Sequence, residues 1–464
     1  MWELRGSDLA LVRDQLGREP LTRFSVVVRC GDGHPLVIRN HPVDGEGNPF
    51  PTLYWLTCPD AVKGVSRLEA DGWIRRLDER AGEDPPFGAE LERAHADYAR
   101  ERGRWATGAE ELGGVGGGRA GIKCLHAHYA HHLAGGVDPA GAWVAEHAEP
   151  VHPEEDRSGR VAAVDMGTNS IRLLVLAPTD EEPIELARDM VITRLGEGVD
   201  RSGRLSDAAL DRTLVVLETY TRRARAIGAH RIRVGATSAV RDAANRDALE
   251  RRVREVTGSG PEVLDGLEEA GLSFRGAISG LGVPPPWMVF DIGGGSTELA
   301  WGGKHAVFTT SLDIGSVRIT ERIQPSDPPT PSEVEEMRSL VRTVLTASLI
   351  EGDPSQHTLI GVAGTTTTVQ AIALGLAWYD PEAIHSSRLS REAAAAVSER
   401  LAGMTTAERR ALPVMAPGRE DVIVAGCQIL LEILERWGFD GCVVSERDIL
   451  DGLALEMVAE EDPR

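Results

Sequence analysis

Apolar positions along this chain fall into two regimes. From about residue 160 onward, short apolar runs such as VAAVDM (161–166), MVFDI (288–292) and LIGVAG (359–364) punctuate the sequence. Between them lie stretches whose apolar residues recur every three or four positions, as in SDAALDRTLVVLETYTRRARAIG (206–228). The short runs predict buried strands and the periodic stretches amphipathic helices, so their alternation predicts an α/β architecture. The segment PVHPEEDRSGR (150–160) is polar, carries two prolines and a glycine, and directly precedes an apolar run. It is the composition of a linker crossed by few contacts. The predicted organisation is a small α+β unit over 1–150, a linker over 151–160, and two α/β lobes over 161–285 and 286–464.

The two-lobe division rests on an internal repeat. VAAVDMGTNSIRLLVL (161–176) aligns without gaps on MVFDIGGGSTELAW (288–301), matching Asp165 to Asp291, Gly167 to Gly293, Ser170 to Ser296 and Leu173 to Leu299. Each copy reads as an apolar strand ending in Asp, a tight turn of small residues, and a second strand. Such a turn is a phosphate and metal device. Its carboxylate offers hard oxygen to a cation, and its glycines let backbone N–H groups approach phosphate oxygens. One copy alone could be an ordinary hairpin with a turn-forming Asp-Gly set. The spacing is not that of a dinucleotide fingerprint, and no P-loop occurs.

Three other segments suit the same chemistry. RIRVGATSAVRDAAN (231–245) predicts a strand ending at Thr237 and Ser238, then a helix with Arg241 in its first turn, although Thr-Ser is also simply a good cap. LIGVAGTTTTVQAIA (359–373) predicts a strand, a turn at Gly364 and Thr365, and a helix. LDGLEEAGLSFRGAISG (264–280) predicts a helix with adjacent Glu268 and Glu269, of which only one can face a given cleft. A carboxylate near bound phosphate could accept a proton from an attacking water.

Composition narrows the partners. The 464 residues carry 50 Lys+Arg against 72 Asp+Glu, a formal net charge of −22. That balance disfavours nonspecific nucleic-acid binding, which needs a basic surface. No run approaches the ~18 apolar residues of a membrane span, and the start lacks an apolar signal core, so a cytoplasmic protein with reduced thiols at its five cysteines is expected.

Taken in order, AVDMGTNSIRLLV, ATSAVRDA, GLEEA, DIGGGSTEL, SLDIGSVRITE, GVAGTTTTVQA and PGREDVIVAG resemble the exopolyphosphatase/guanosine pentaphosphate phosphohydrolase family of the actin-like ATPase superfamily, over residues 160–455. The resemblance implies two ribonuclease-H-like lobes facing a cleft and Mg²⁺-dependent release of terminal phosphate from inorganic polyphosphate. Guanosine pentaphosphate hydrolysis, a nonhydrolytic polyphosphate or nucleotide sensor, and an actin-like sugar kinase are the other readings, the last weakened by the Glu-Glu-Ala motif. A homodimer is compatible with any of them. Carried over by motif, Asp165, Gly167, Thr168, Asn169 and Ser170 form one phosphate loop, and Gly293, Gly294, Gly295 and Ser296 the other. Thr237, Ser238, Gly364 and Thr365 add phosphate contacts, and Arg241 clamps the phosphate. Asp165, Asp291 and Glu298 take the metal positions. Glu269 is the favoured catalytic carboxylate, with Glu268 the alternative. Longer family members continue into further C-terminal helical domains, so long-chain processivity is not expected here.

The N-terminal unit resembles a small bacterial domain of uncharacterised function through FPTLYWLTCP (50–59) and IKCLHAHYAHHLAGG (122–136). On a helix, Cys124, His128, His131 and His132 would share one face, either as metal ligands or as packed, hydrogen-bonded histidines. Arg100, Arg102 and Arg104, interleaved with glutamate, read as a solvated face.

Overall fold

The computed structural model describes residues 3–106, 108–148, 158–348 and 352–461; linker residues 151–157 lie outside the described residues. The duplicated segments open two sheets built alike. In the first, the strand order is Ile184–Ile192, Ser170–Ala177, Val161–Met166, Arg231–Ala236, Glu262–Val263. In the second it is Ala306–Leu312, Thr297–Gly302, Trp287–Ile292, Thr358–Val362, Gly441–Val444, Arg388–Ser390. Each begins with three antiparallel strands and continues with a parallel neighbour to the strand that ends in Asp. The central strands are buried throughout apart from the half-buried Trp287, which explains why they read as continuous apolar runs rather than alternating ones. The repeat register is preserved: Asp165 stands opposite Arg172, and Asp291 opposite Glu298.

The helix Gly266–Ile278 lies between the sheets. Its Ala270, Phe274 and Ala277 pack on Val289, Ala300 and Ile360 of the second sheet, while Leu272 joins Val161, Ala163 and Leu174 of the first. The last helix, Ile449–Glu461, returns across the molecule to this same first-sheet cluster through Ile449, Leu450, Leu453 and Met457. The two helices cross closely because Gly276 and Gly452 sit at the crossing; a Cβ on Gly276 would run into the Asp448 carbonyl. This crossing brings Asp448 beside the helix Gly266–Ile278.

The N-terminal unit is a three-stranded antiparallel sheet (Phe24–Arg29, Pro35–Asn40, Tyr54–Leu56) surrounded by helices, the α+β unit expected. The expectation that few contacts link it to the lobes fails. One hydrophobic cluster runs from Tyr54, Leu133 and Ala134 into Leu217, Tyr220 and Ala224 of the first lobe. Across the same junction Arg39 of the N-terminal unit pairs with Asp189 of the first lobe at 3.5 Å, and the lobe's own Arg223 pairs with the same carboxylate at 2.7 Å, none of the three side chains being more than 9% exposed. Burial opposes the charged form of Asp189, and the two guanidinium groups more than offset it, leaving its pKa below the usual value.

Two further readings are corrected. Arg102 is not part of a solvated face: it is fully buried, donating to Ala109 O at 2.8 Å, Pro51 O at 2.6 Å and Gly113 O. The Cys/His set does not converge. Cys124 precedes the helix Leu125–Leu133 and meets His126 and Glu69 instead, whereas His128 and His131 both bond to Asp138, at 2.8 and 3.1 Å. Asp138 is fixed there because it caps the next helix through Gly141 N. The packed, hydrogen-bonded alternative holds for His128 and His131. All five cysteines are free, and no helix among the described residues is long and apolar enough to cross a membrane.

Candidate active site

The two repeat turns face each other across a cleft of about 610 Å³. They are built alike: Gly167 N donates to Ser170 O at 2.9 Å, and Gly293 N to Ser296 O at 3.0 Å. Thr168 Oγ1 and Ser238 Oγ lie 2.9 Å apart, tying the first turn to the end of the strand Arg231–Ala236. Gly295 is needed where the second turn presses on this pair, because a Cβ there would collide with Ser238 Oγ. The cleft is lined by Asp165, Gly167, Thr168, Asn169 and Ser170 from one turn and by Asp291, Gly293, Gly294 and Ser296 from the other. Thr237, Ser238, Glu269, Gly364 and Thr365 complete the expected set; Arg241, Gly295 and Glu298 do not line the cleft itself. The helix predicted after Ser238 is only a single turn, Ser238–Arg241, before the chain bends toward the helix Arg246–Thr257.

The Glu-Glu-Ala motif is resolved by helix capping. Asp265 caps the helix Gly266–Ile278, and Glu268 reaches back to Asp265 N at 2.9 Å, which holds it on the exposed side. Glu269 turns inward, is 8% exposed, and accepts from Arg241 Nη1 at 3.1 Å. Burial and then the neighbouring Glu298 raise its pKa well above the ordinary value, with Arg241 working against them.

Behind Glu269 the acids accumulate. Asp291 accepts from Ser273 Oγ, and burial followed by Asp448 pushes its pKa up to about 7. Glu298 accepts from Ser311 Oγ at 2.7 Å and is pushed up to about 8 by burial and by Asp291. Asp165 Oδ2 accepts from Arg172 Nε at 2.9 Å and Nη2 at 2.6 Å; burial still raises its pKa, and its Oδ1 is buried with no hydrogen-bond partner. Five buried carboxylates (Asp165, Glu269, Asp291, Glu298 and Asp448) thus gather around two guanidinium groups, Arg172 and Arg241. An excess of hard oxygen donors with one orphaned oxygen fits a divalent cation such as Mg²⁺.

Three site residues were not foreseen. Arg172 bridges Asp165 and Asp448, and the repeat could have revealed it, since it occupies the place of Glu298 in the other copy. Asp448 arrives only through the return of the last helix. Arg419, within the PGRED segment, lines the cleft and donates to Thr368 Oγ1 at 2.7 Å.

Comparison with known proteins agrees with this architecture. Residues 174–461 match the Ppx/GppA phosphatase family, and residues 26–146 match a protein family of unknown function, DUF501. Exopolyphosphatase 2 of Mycobacterium tuberculosis is 45% identical over 314 residues, 64% of this chain and 98% of that protein. The guanosine-5'-triphosphate,3'-diphosphate pyrophosphatase of Vibrio atlanticus is 30% identical over 303 residues, 64% of this chain and 59% of that protein. A crystal structure of an exopolyphosphatase-like protein superimposes with a TM-score of 0.62 at 37% identity, covering 65% of this chain and 99% of the other.

Proposed function

Since the chain belongs to the Ppx/GppA phosphatase family, we propose that it is an exopolyphosphatase, a cytoplasmic enzyme releasing terminal orthophosphate from inorganic polyphosphate. The observation that carries this reading is Glu269: a buried carboxylate whose pKa is raised by burial and by Glu298, beside Arg241 and lining one cleft with the two repeat turns. The turns offer backbone N–H groups and the Thr168, Ser170 and Ser296 hydroxyls to the terminal phosphoryl oxygens, and Ser238 beside the first turn adds another. Asp165 and Asp291, which line the cleft, would hold Mg²⁺, with Glu298 set behind them as a further acidic group, and the cation when bound neutralises phosphoryl charge. Glu269 orients a water and takes its proton; the water oxygen forms the new P–O bond. The bridging P–O bond breaks, and the shortened chain leaves with the electron pair. Arg241, set back from the cleft lining, keeps Glu269 aimed through its 3.1 Å contact. Positioning and charge stabilisation supply most of the acceleration, as is usual in phosphoryl transfer.

The test is phosphate release from polyphosphates of defined length and from guanosine pentaphosphate, with and without Mg²⁺. Steady Mg²⁺-dependent release from polyphosphate is the expected result. Release from guanosine pentaphosphate alone would favour the second reading, which the resemblance to the Vibrio protein supports. Tight binding without release from either would make the protein a sensor.

A further inference from the structure

In the N-terminal unit the helix Pro59–Ala70 runs against the start of the helix Leu125–Leu133, and three side chains able to ligate a metal meet at that seam. Glu69 comes from the last turn of the first helix, Cys124 immediately precedes the second, and His126 sits in its first turn. Cys124 Sγ lies 3.8 Å and Glu69 Oε1 3.2 Å from His126 Nδ1, and one ligand atom from each of the three lies within 4.8 Å of the others. Of the Cys/His set expected on one helix face, only Cys124 takes part. None of the three residues lines the cleft between the lobes.

The hydrogen bonds around His126 decide what its ring can do. Its Nε2 lies 3.1 Å from Val62 O and 3.2 Å from Ser66 Oγ. A carbonyl oxygen only accepts, so Nε2 donates, and Nδ1 is the nitrogen turned toward the thiol and the carboxylate. Holding the far nitrogen on a backbone carbonyl is the arrangement that orients metal-ligating histidines. Glu69 is also set in advance, because its Oε1 accepts from Leu125 N at 2.7 Å. Burial opposes a positive charge there, yet the Cys124 contact, the Val62 carbonyl and Glu69 together push the pKa of His126 up to about 9, so the seam favours a cation. In a nucleophile–base–carboxylate triad the carboxylate would hold the ring nitrogen opposite the thiol. Here sulfur and carboxylate face the same nitrogen, which suits an ion placed among the three. Zinc bonds of ~2.3 Å to sulfur and ~2.0–2.1 Å to nitrogen and oxygen, at tetrahedral angles, put sulfur about 3.6 Å and oxygen about 3.3 Å from nitrogen. The observed 3.8 and 3.2 Å are close to both.

We propose that Glu69, Cys124 and His126 form a Zn²⁺ site in the N-terminal unit, with water as the fourth ligand. A thiolate, an imidazole and a carboxylate together select Zn²⁺ over Mg²⁺, which takes oxygen donors. The His126 and Glu69 side chains are 20% and 24% exposed, so solvent reaches the fourth position. Three protein ligands and a water is the coordination of a zinc ion open to an exchangeable ligand, rather than that of a closed structural site. The site is independent of which phosphate compound the cleft hydrolyses.

The experiment measures Zn²⁺ binding to the full-length protein by competition with a chromophoric chelator, in excess Mg²⁺ to occupy the carboxylates of the cleft. One Zn²⁺ per chain should bind, and Co²⁺ in its place should show a thiolate-to-cobalt charge-transfer absorption. Cys124→Ser and Glu69→Gln should each weaken Zn²⁺ by at least roughly 10–100-fold, the loss that removing even an outer partner of a metal ligand usually causes. Glutamine keeps an oxygen for Leu125 N, so that variant tests the charge and not the helix start. Asp165→Asn, in the cleft, should leave Zn²⁺ affinity unchanged. Absence of Zn²⁺ binding under Mg²⁺, a cobalt spectrum without the thiolate band, or wild-type affinity in Cys124→Ser would overturn the site. The cobalt spectrum is read on the wild type, so it decides the matter even if a variant does not fold.

Discussion

Replacing Glu269 by glutamine keeps the size of the side chain and an oxygen to accept from Arg241, and removes only the ability to take a proton. The 3.1 Å contact survives, so polyphosphate binding should stay within a few-fold of the wild type. Turnover should fall by roughly 10²–10⁴-fold, the usual contribution of a general base, or about 3–5 kcal/mol of barrier. Stability should move the other way. Glu269 is buried among Glu298 and Asp291, and its raised pKa means that the fold disfavours its charged form. A neutral amide relieves that repulsion, so Glu269→Gln should melt at a higher temperature than the wild type at pH 8. The pair of measurements is steady-state phosphate release and differential scanning calorimetry on the same preparations. Glu268→Gln is the control: it retains the capping geometry, since Gln serves at that position, and should leave both readouts nearly unchanged. Lower activity together with a lower melting temperature and a raised KM would refute the argument, because it would make Glu269 a structural residue.

The other predictions concern charge and metal. Asp291 and Glu298 hold protons more tightly when folded, at about 7 and about 8 against 3.8 and 4.5, so their contribution to stability is full below the lower values and lost as pH rises through the upper ones. The melting temperature should therefore fall between about pH 5 and pH 8, and Asp291→Asn should flatten that slope; a slope unchanged by the substitution would refute the assignment. Added Mg²⁺ should raise the melting temperature more at pH 8 than at pH 5, and Asp165→Asn should weaken that gain; equal gains at both pH values would argue against a carboxylate cation site. Asp189→Ala leaves Arg39 and Arg223 buried without their shared anion and should cost about 3–5 kcal/mol by denaturant titration, whereas a loss below 1 kcal/mol would show that the junction repacks.

How far the sequence could be read depended on how local each determinant was. The strands and both turns were legible because an apolar run ending in Asp-x-Gly carries its own geometry, and because the second copy confirmed the first. The inward glutamate was legible too, had the Asp265-x-x-Glu268 capping pattern been used to assign Glu268 to the helix start. Arg102 was not, and for His128 and His131 the packed, hydrogen-bonded reading was legible but the partner was not. Each is a polar residue made apolar-like by a distant partner, a carbonyl of Pro51 or the carboxylate of Asp138, and no periodicity records such pairings. Asp448 was invisible for a similar reason, since it reaches the site by a chain crossing that no local pattern encodes.

That crossing has a consequence for how the protein is made. Val161, Ala163, Leu174 and Leu176 form an apolar face of the first sheet, and the residues that cover it include Ile449, Leu450, Leu453 and Met457 near the far end of the sequence. During synthesis the chain emerges from the N-terminus, so this face is produced early and finds its cover only when nearly everything else has left the ribosome. The first lobe therefore cannot complete its folding as an independent unit during translation. It has to wait, shielded by a chaperone or held loosely collapsed, for the last helix to dock. A ribosome that stalls before residue 449 would release a chain with both repeat turns present and an uncovered hydrophobic sheet, which is a substrate for aggregation or proteolysis rather than a slower enzyme.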